Sequence, residues 1–189
     1  MRLVDQAEQA RLVGLAQGFQ GHIRRWQRAV EMQDERIRSH PWAAERPDRA
    51  VDTELLALCL RNLLRACWAC HGCFDRDYYA PFQDAMNAFE AAVPHARVIR
   101  DLLQRFDRYE ADGHLDVFIS LDEPAEWRVG PEGYSLLVNE LRLDLATATR
   151  ESDRMAEAAL RTINYIMFCL EHTGELPGWA EADQGTGGG

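Results

Sequence analysis

The sequence predicts a mainly α-helical fold, a five-helix up-and-down bundle with a small three-stranded antiparallel sheet inserted before the last helix. Over most of the chain, apolar residues recur at steps of three and four, the period of helices with one buried face. Between about residues 115 and 145 the period changes to two, as in half-buried strands. The 189 residues, 47% of them hydrophobic, are enough for one substantial core. We therefore expect a single domain over residues 1–176, followed by a flexible tail over 177–189.

The first predicted helix covers residues 3–38 and is long and amphipathic. Gly14, Gly18 and Gly21 each cost about 1 kcal/mol relative to alanine within a helix, so the first half is expected to bend or to admit the backbone of a partner. Pro41 ends the helix, because the residue before a proline disfavours the helical conformation. Its apolar or small residues follow the spacing of a coiled-coil seam: Leu12, Ala16, Phe19, Ile23, Trp26, Val30 and Ile37.

Three more helices are predicted before the sheet. Residues 52–71 are apolar almost all round, which is typical of a helix in the middle of a bundle. Gly72 is placed to end this helix, because glycine readily adopts the left-handed conformation of a helix terminus. The pattern then predicts helices over about 78–92 and 95–110, separated by Pro94.

The sheet is predicted as a meander of three strands. Alternating residues place the strands at 115–121, 126–129 and 134–145, and a Gly-Pro-Glu-Gly sequence joins the last two. The helical period resumes over about 147–171, which we expect to form the last helix of the bundle.

Composition excludes several classes of protein. The chain carries 31 acidic and 21 basic residues, a formal net charge of −10, which argues against a broad cationic surface for nucleic acid. Every basic residue is an arginine, so a phosphate-loop lysine, a Schiff-base lysine and a lysine general base are excluded. No stretch of about 18 apolar residues exists, and the first residues lack the pattern of an export signal. We therefore expect a cytoplasmic protein with no membrane partner.

A cysteine- and histidine-rich string ends the predicted central helix. The sequence from Cys67 to His71 has the C-x-x-C-H form used to attach c-type haem, but covalent haem implies an export signal, which is not evident. Helical spacing places Cys67, Cys70 and His71 on neighbouring positions, with Cys73 following, so a Cys/His metal-binding regulator is one alternative. The other interpretation is that reduced cysteines pack as small buried hydrophobes, and on that basis we expect no cofactor and no metal.

A second candidate site lies on the predicted helix 95–110, where Arg100 and Asp101 are followed by Arg105 and Tyr109. A long first helix, a buried second helix and an arginine followed by a polar residue on a later helix resemble the HEPN class of small helical domains. The ribonuclease members of that class carry an arginine, a polar residue and then a histidine a few positions later. Arg100 and Asp101 match the first two places, and Arg105 stands where the histidine would be. A guanidinium cannot exchange protons near neutral pH, so the resemblance implies a degenerate member.

The sequence therefore predicts a non-catalytic protein that acts through a protein partner or by self-association. A homodimer or tight complex is expected through the seam of the first helix or through the helix 95–110, and the resemblance implies a toxin–antitoxin or defence setting. The alternative is a metal-independent HEPN-type endoribonuclease that uses Arg100 and Asp101 with a histidine from elsewhere, His95 or His114 being nearest in sequence.

RNA is a second partner class raised by the sequence. Arg24, Arg25 and Trp26 on the first helix have the chemistry that contacts RNA phosphates and bases. Opposed to this is the acidic stretch over residues 107–126, which would repel phosphate.

Overall fold

The computed structural model of the chain describes residues 2–39, 48–74, 80–96, 126–130, 133–138 and 141–176. This part of the protein is mainly helical. It contains four helices: α1, Gln6–Ser39; α2, Asp48–Cys73; α3, Ala80–Ala92; and α4, Leu145–Thr173. It also contains five short strands: β1, Arg2–Leu3; β2, Glu126–Gly130; β3, Gly133–Val138; β4, Leu141–Asp144; and β5, Glu175–Leu176.

The mainly helical class that the sequence predicts is confirmed. The structure has a helix at each of the predicted ranges 3–38, 52–71, 78–92 and 147–171, with ends that differ by a few residues. The predicted helix 95–110 lies almost wholly outside the described residues, as does the predicted strand 115–121. No helix in the described part of the chain combines the length and apolar character that a membrane span needs.

The core lies where α1 packs against α2 and α4, with α3 against α4. α1 supplies the residues of its seam, of which Ala16, Ile23 and Val30 are completely buried. Burial of a valine or isoleucine side chain contributes about 1.5–3 kcal/mol, so the seam is a major source of stability. Packing against α2 and α4 covers these seam residues within the chain, and the homodimer or tight complex expected through this seam or through the helix 95–110 stays a prediction.

The glycines of α1 face open space within the described chain, and the bend or partner approach expected there stays a prediction. α1 runs unbroken from Gln6 to Ser39, and a Cβ atom added at Gly14, Gly18 or Gly21 would meet nothing within 4 Å. These three glycines lie on the exposed side of the helix, away from the seam.

α4 has a well-defined start and end. The Asp144 carboxylate accepts a hydrogen bond from the Thr147 backbone N–H at 2.7 Å, as an N-cap residue does. At the other end Gly174 has φ 66°, and its N–H donates to the Leu170 carbonyl. This left-handed conformation suits glycine, and it turns the chain into β5, which pairs antiparallel with β1.

Strands β2, β3 and β4 pair antiparallel in that order, with Gly130 opposite Gly133 and Val138 opposite Leu141. The prediction of one strand over 134–145 is therefore wrong. Two strands occupy the range, and Leu145 already begins α4. Alternation did not reveal this break, because the apolar phase continues through both strands.

Candidate functional site

The cysteine string lies on the last turns of α2. Cys67 and Cys70 are completely buried, His71 is 4% exposed, and Cys73 is exposed. Burial raises the pKa of the Cys67 thiol, and burial together with the neighbouring Cys73 raises the pKa of Cys70 to about 12. Within the described residues, no group of three or more His, Cys, Asp or Glu side chains is arranged to hold a metal ion.

His71 contacts aromatic rings on two helices. Its imidazole lies 5.6 Å from the Trp68 ring on α2 and 6.4 Å from the Phe82 ring on α3, in edge-to-face geometry in both cases. Such aromatic contacts are a packing interaction, and they help to hold α2 against α3. The string thus contributes to the core at the end of α2.

The HEPN-like residues Arg100, Asp101, Arg105 and Tyr109 lie outside the described residues. His114, one of the two histidines considered as a substitute, also lies outside them, and His95 is half-buried just beyond α3. Of this constellation, the described part of the chain therefore contains His95 alone.

The basic half of α1 is largely engaged in ion pairs within the chain. Three arginines contact carboxylates: Arg28 with Glu31, Arg36 with Asp52 and Arg38 with Asp34, each at 2.8 Å. Trp26 is half-buried and packs on the core, which withdraws most of its ring from solvent. Arg24 and Arg25 are exposed. The sequence predicts RNA contact from arginines beside an exposed aromatic ring. In the described part of α1, the exposed arginines do not lie beside such a ring.

Polar side chains line the contact between α1 and α4. The Gln20 amide donates to Asn164 at 2.7 Å, and the Gln27 amide donates to the Asp153 carboxylate at 3.5 Å. Burial is the main cause that raises the pKa of Asp153, and the nearby carboxylate of Glu31 raises it further, against the lowering effect of the Gln27 hydrogen bond. A partly buried carboxyl group, whose charged form is disfavoured, therefore lies at this contact.

The outer side of α4 carries an exposed aromatic surface that the sequence analysis did not identify. It consists of Tyr165, Phe168 and His172, which we name the α4 aromatic face. Tyr165 is 44% and Phe168 56% exposed, whereas Ile163 and Ile166 on the opposite side of the helix are completely buried. The spacing i, i+3, i+7 places the three rings along one line of the helix surface.

The rings of the α4 aromatic face are held in place. His172 stacks on Phe168 with ring centroids 4.2 Å apart, and its Nδ1 lies 2.9 Å from the Phe168 carbonyl oxygen. A hydrogen bond with the Cys169 side chain raises the pKa of the Tyr165 hydroxyl. Ordered aromatic side chains lose little conformational entropy on binding, so this surface is suited to contact another molecule.

Charged residues of opposite sign flank these rings. The Arg161 side chain is 73% exposed and lies 3.6 Å from Glu157, a long contact for an ion pair. Glu171, less than one turn beyond Phe168, is exposed and has no ion pair among the described residues. The signal that could have revealed this surface in the sequence is the presence of three rings at helical spacing outside the buried stripe of α4.

Comparison of the chain with protein-family models, with curated proteins and with solved structures finds no match.

Proposed function

We propose that this protein is a non-catalytic helical-bundle protein that acts by self-association, as a homodimer formed through the α4 aromatic face. The observation that carries the proposal is the exposure of Tyr165 and Phe168 on a helix whose other side is already buried. Single exposed apolar residues are normal on a protein surface, whereas adjacent large rings are enriched where proteins meet. Aromatic residues also supply a large share of the binding energy at such contacts.

The charges beside the rings favour a second copy of this chain as the partner. A two-fold axis brings the same surface of each copy together, so such a surface must be complementary to itself. In an antiparallel pair of α4 helices, the alignment that sets Tyr165 opposite Phe168 of the second copy also sets Arg161 opposite His172 of the second copy, beside Glu171 in the same turn. Attraction then acts twice across the dimer, and it fixes the register of the two helices.

The proposal includes the finer architecture and the resemblance. We propose that residues 95–110 form the fifth helix of the bundle and that the three-stranded antiparallel sheet is its insert before α4. The chain is then a degenerate HEPN-like domain in the cytoplasm, in the toxin–antitoxin or defence setting that the resemblance implies. A long α1 that packs along a mostly apolar α2 supports this view.

The test measures the molar mass in solution over a wide range of protein concentration, by sedimentation equilibrium. We expect the wild-type chain to form dimers and Phe168→Ala to weaken them by tenfold or more, because removing an aromatic anchor typically costs about 2 kcal/mol or more. Met32→Ala is the matched control, since Met32 is equally exposed, at 57%, but lies on α1. A wild-type monomer at every concentration, or a dimer that Phe168→Ala leaves unchanged, contradicts the proposal.

A further inference from the structure

A cavity of about 280 Å³ opens between α2 and the C-terminal half of α3. Its apolar wall is built by Leu60 and Leu64 of α2 and by Phe89 of α3. Leu60 and Phe89 belong to the core and are almost completely buried. The wall is therefore a fixed part of the fold, as the walls of small-molecule sites usually are.

Two arginines border this cavity on α2. Arg61 and Arg65 are one helical turn apart, so their positive charges are neighbours and repel each other. Neither guanidinium has an ion pair with a carboxylate among the described residues, whereas Arg28, Arg36 and Arg38 on α1 each do. Two neighbouring guanidinium groups at the edge of an apolar cavity have the chemistry of an oxyanion site.

Trp68, Glu90 and Ala96 also border the cavity. Trp68 lies one turn beyond Arg65, is 38% exposed and lines the cavity. Its flat surface suits a planar apolar group, since aromatic rings stack or meet edge to face. Glu90 adds one negative charge on the α3 side, which disfavours ligands that carry two.

We infer that this cavity binds a small aromatic monocarboxylate. The carboxylate is held by Arg61 and Arg65, and the ring lies between Trp68 and the apolar wall. The volume is close to the lower end of the range for ligand sites, roughly 300 Å³, so the ligand is a small molecule of one ring and a short acid arm. The site lies on α2 and α3, and its occupancy does not depend on the dimer proposed through α4.

The test uses phenylacetate and 3-phenylpropionate as probes of the full chain, with affinities measured by calorimetry and by quenching of tryptophan fluorescence. We expect saturable binding that Arg61→Gln and Arg65→Gln each weaken by about tenfold, the usual effect of losing a hydrogen bond to a charged group. Arg24→Gln is the matched control, because Arg24 is an exposed arginine on α1 outside the cavity. Trp68→Phe should remove most of the quenching while the thermal melting temperature stays close to that of the wild type.

Three further results bear on the inference. Phenylacetamide has the same shape without the charge and should bind at least tenfold more weakly than phenylacetate, and phenyl phosphate should also be weaker because Glu90 repels its second charge. Equal binding of the amide, or tighter binding of phenyl phosphate, overturns the assigned ligand class. Absence of binding by either acid at millimolar concentration, or affinities that Arg61→Gln and Arg65→Gln leave unchanged in folded protein, overturns the site itself.

Discussion

The helices α1 and α4 are similar in length but differ in their outer surfaces. α1 has 34 residues and α4 has 29, and each buries a regular apolar stripe in the same core. Outside that stripe, α1 carries mostly polar side chains and arginines in ion pairs, whereas α4 carries Tyr165, Phe168 and His172. The comparison shows that a coiled-coil-like spacing does not tell whether a helix meets its own chain or another one. What marks a contact surface is the apolar area left over once the core is filled.

The largest expected effect is a difference in stability between substitutions in the buried apolar stripe and substitutions in the exposed rings. Ile23→Ala on α1 should lower the free energy of unfolding by about 2–5 kcal/mol, because it leaves a cavity in the core. Phe168→Ala on α4 should change the stability of the monomer by about 0.5 kcal/mol or less, since its ring is half exposed. Urea denaturation at low protein concentration measures both values. A large loss of stability in Phe168→Ala would mean that the ring packs within its own chain.

The next effect concerns the first turns of the two helices. Asp5 accepts a hydrogen bond from the Glu8 N–H at 2.8 Å at the start of α1, as Asp144 does from the Thr147 N–H at the start of α4. Asp144→Ala should cost about 1 kcal/mol, and Asp5→Ala less, because the Asp5 bond is exposed. Thermal melting of the two variants measures the difference. If both variants have the same melting temperature as the wild type, the carboxylates do not cap these helices.

A smaller effect is that two carboxyl groups on α4 should make stability depend on pH in opposite directions. The raised pKa of Asp153 means that its folded form binds a proton more readily than the unfolded chain, so its charge lowers stability once the pH is above that pKa. Asp153→Asn should therefore raise the melting temperature at pH 7, and this gain should shrink as the pH falls towards 4.

Glu151 is the matched control for this pH dependence. The hydrogen bond from Arg150 is the largest cause that lowers the pKa of Glu151, and the hydrogen bond from Arg154 lowers it further. The charged form of Glu151 therefore stabilises the folded state. This contribution is present above about pH 4.5, the ordinary pKa range of a glutamate, and is lost as the pH falls through the lowered pKa. Glu151→Gln should therefore lower the melting temperature at pH 7. Melting curves between pH 3 and pH 7 test both signs, and equal signs for the two variants would refute the assignment.

The last prediction concerns cleavage of RNA. In the proposed HEPN resemblance, Arg105 stands where the ribonuclease members carry a histidine, and general acid–base catalysis is worth about 10²- to 10⁴-fold. We expect no cleavage of labelled RNA by the wild-type chain and a gain of activity on Arg105→His. Robust wild-type cleavage that is lost on Arg100→Ala would instead establish the endoribonuclease alternative.

The spacing of apolar residues along the sequence predicted the features of the fold that follow from a regular repeat of buried and exposed positions. Ile23 and Val30 of α1 were identified in this way, because a helix that buries one face must repeat its apolar residues. The split between β3 and β4 was missed, since the apolar phase continues across it. The α4 aromatic face was missed because Phe168 falls outside the buried phase, and the cavity bordered by Arg61 and Arg65 was missed because its wall comes from two helices that meet only in the folded chain.

The most direct test of self-association through α4 is a charge reversal across the proposed pair, measured by sedimentation velocity. Arg161→Glu and Glu171→Arg, each alone, put like charges near each other at two places in the dimer, and each should weaken it by about tenfold. The double variant restores opposite charges, so we predict that it dimerises nearly as well as the wild type. A double variant that is no better than either single variant, or single variants that dimerise as the wild type does, would contradict the proposed dimer.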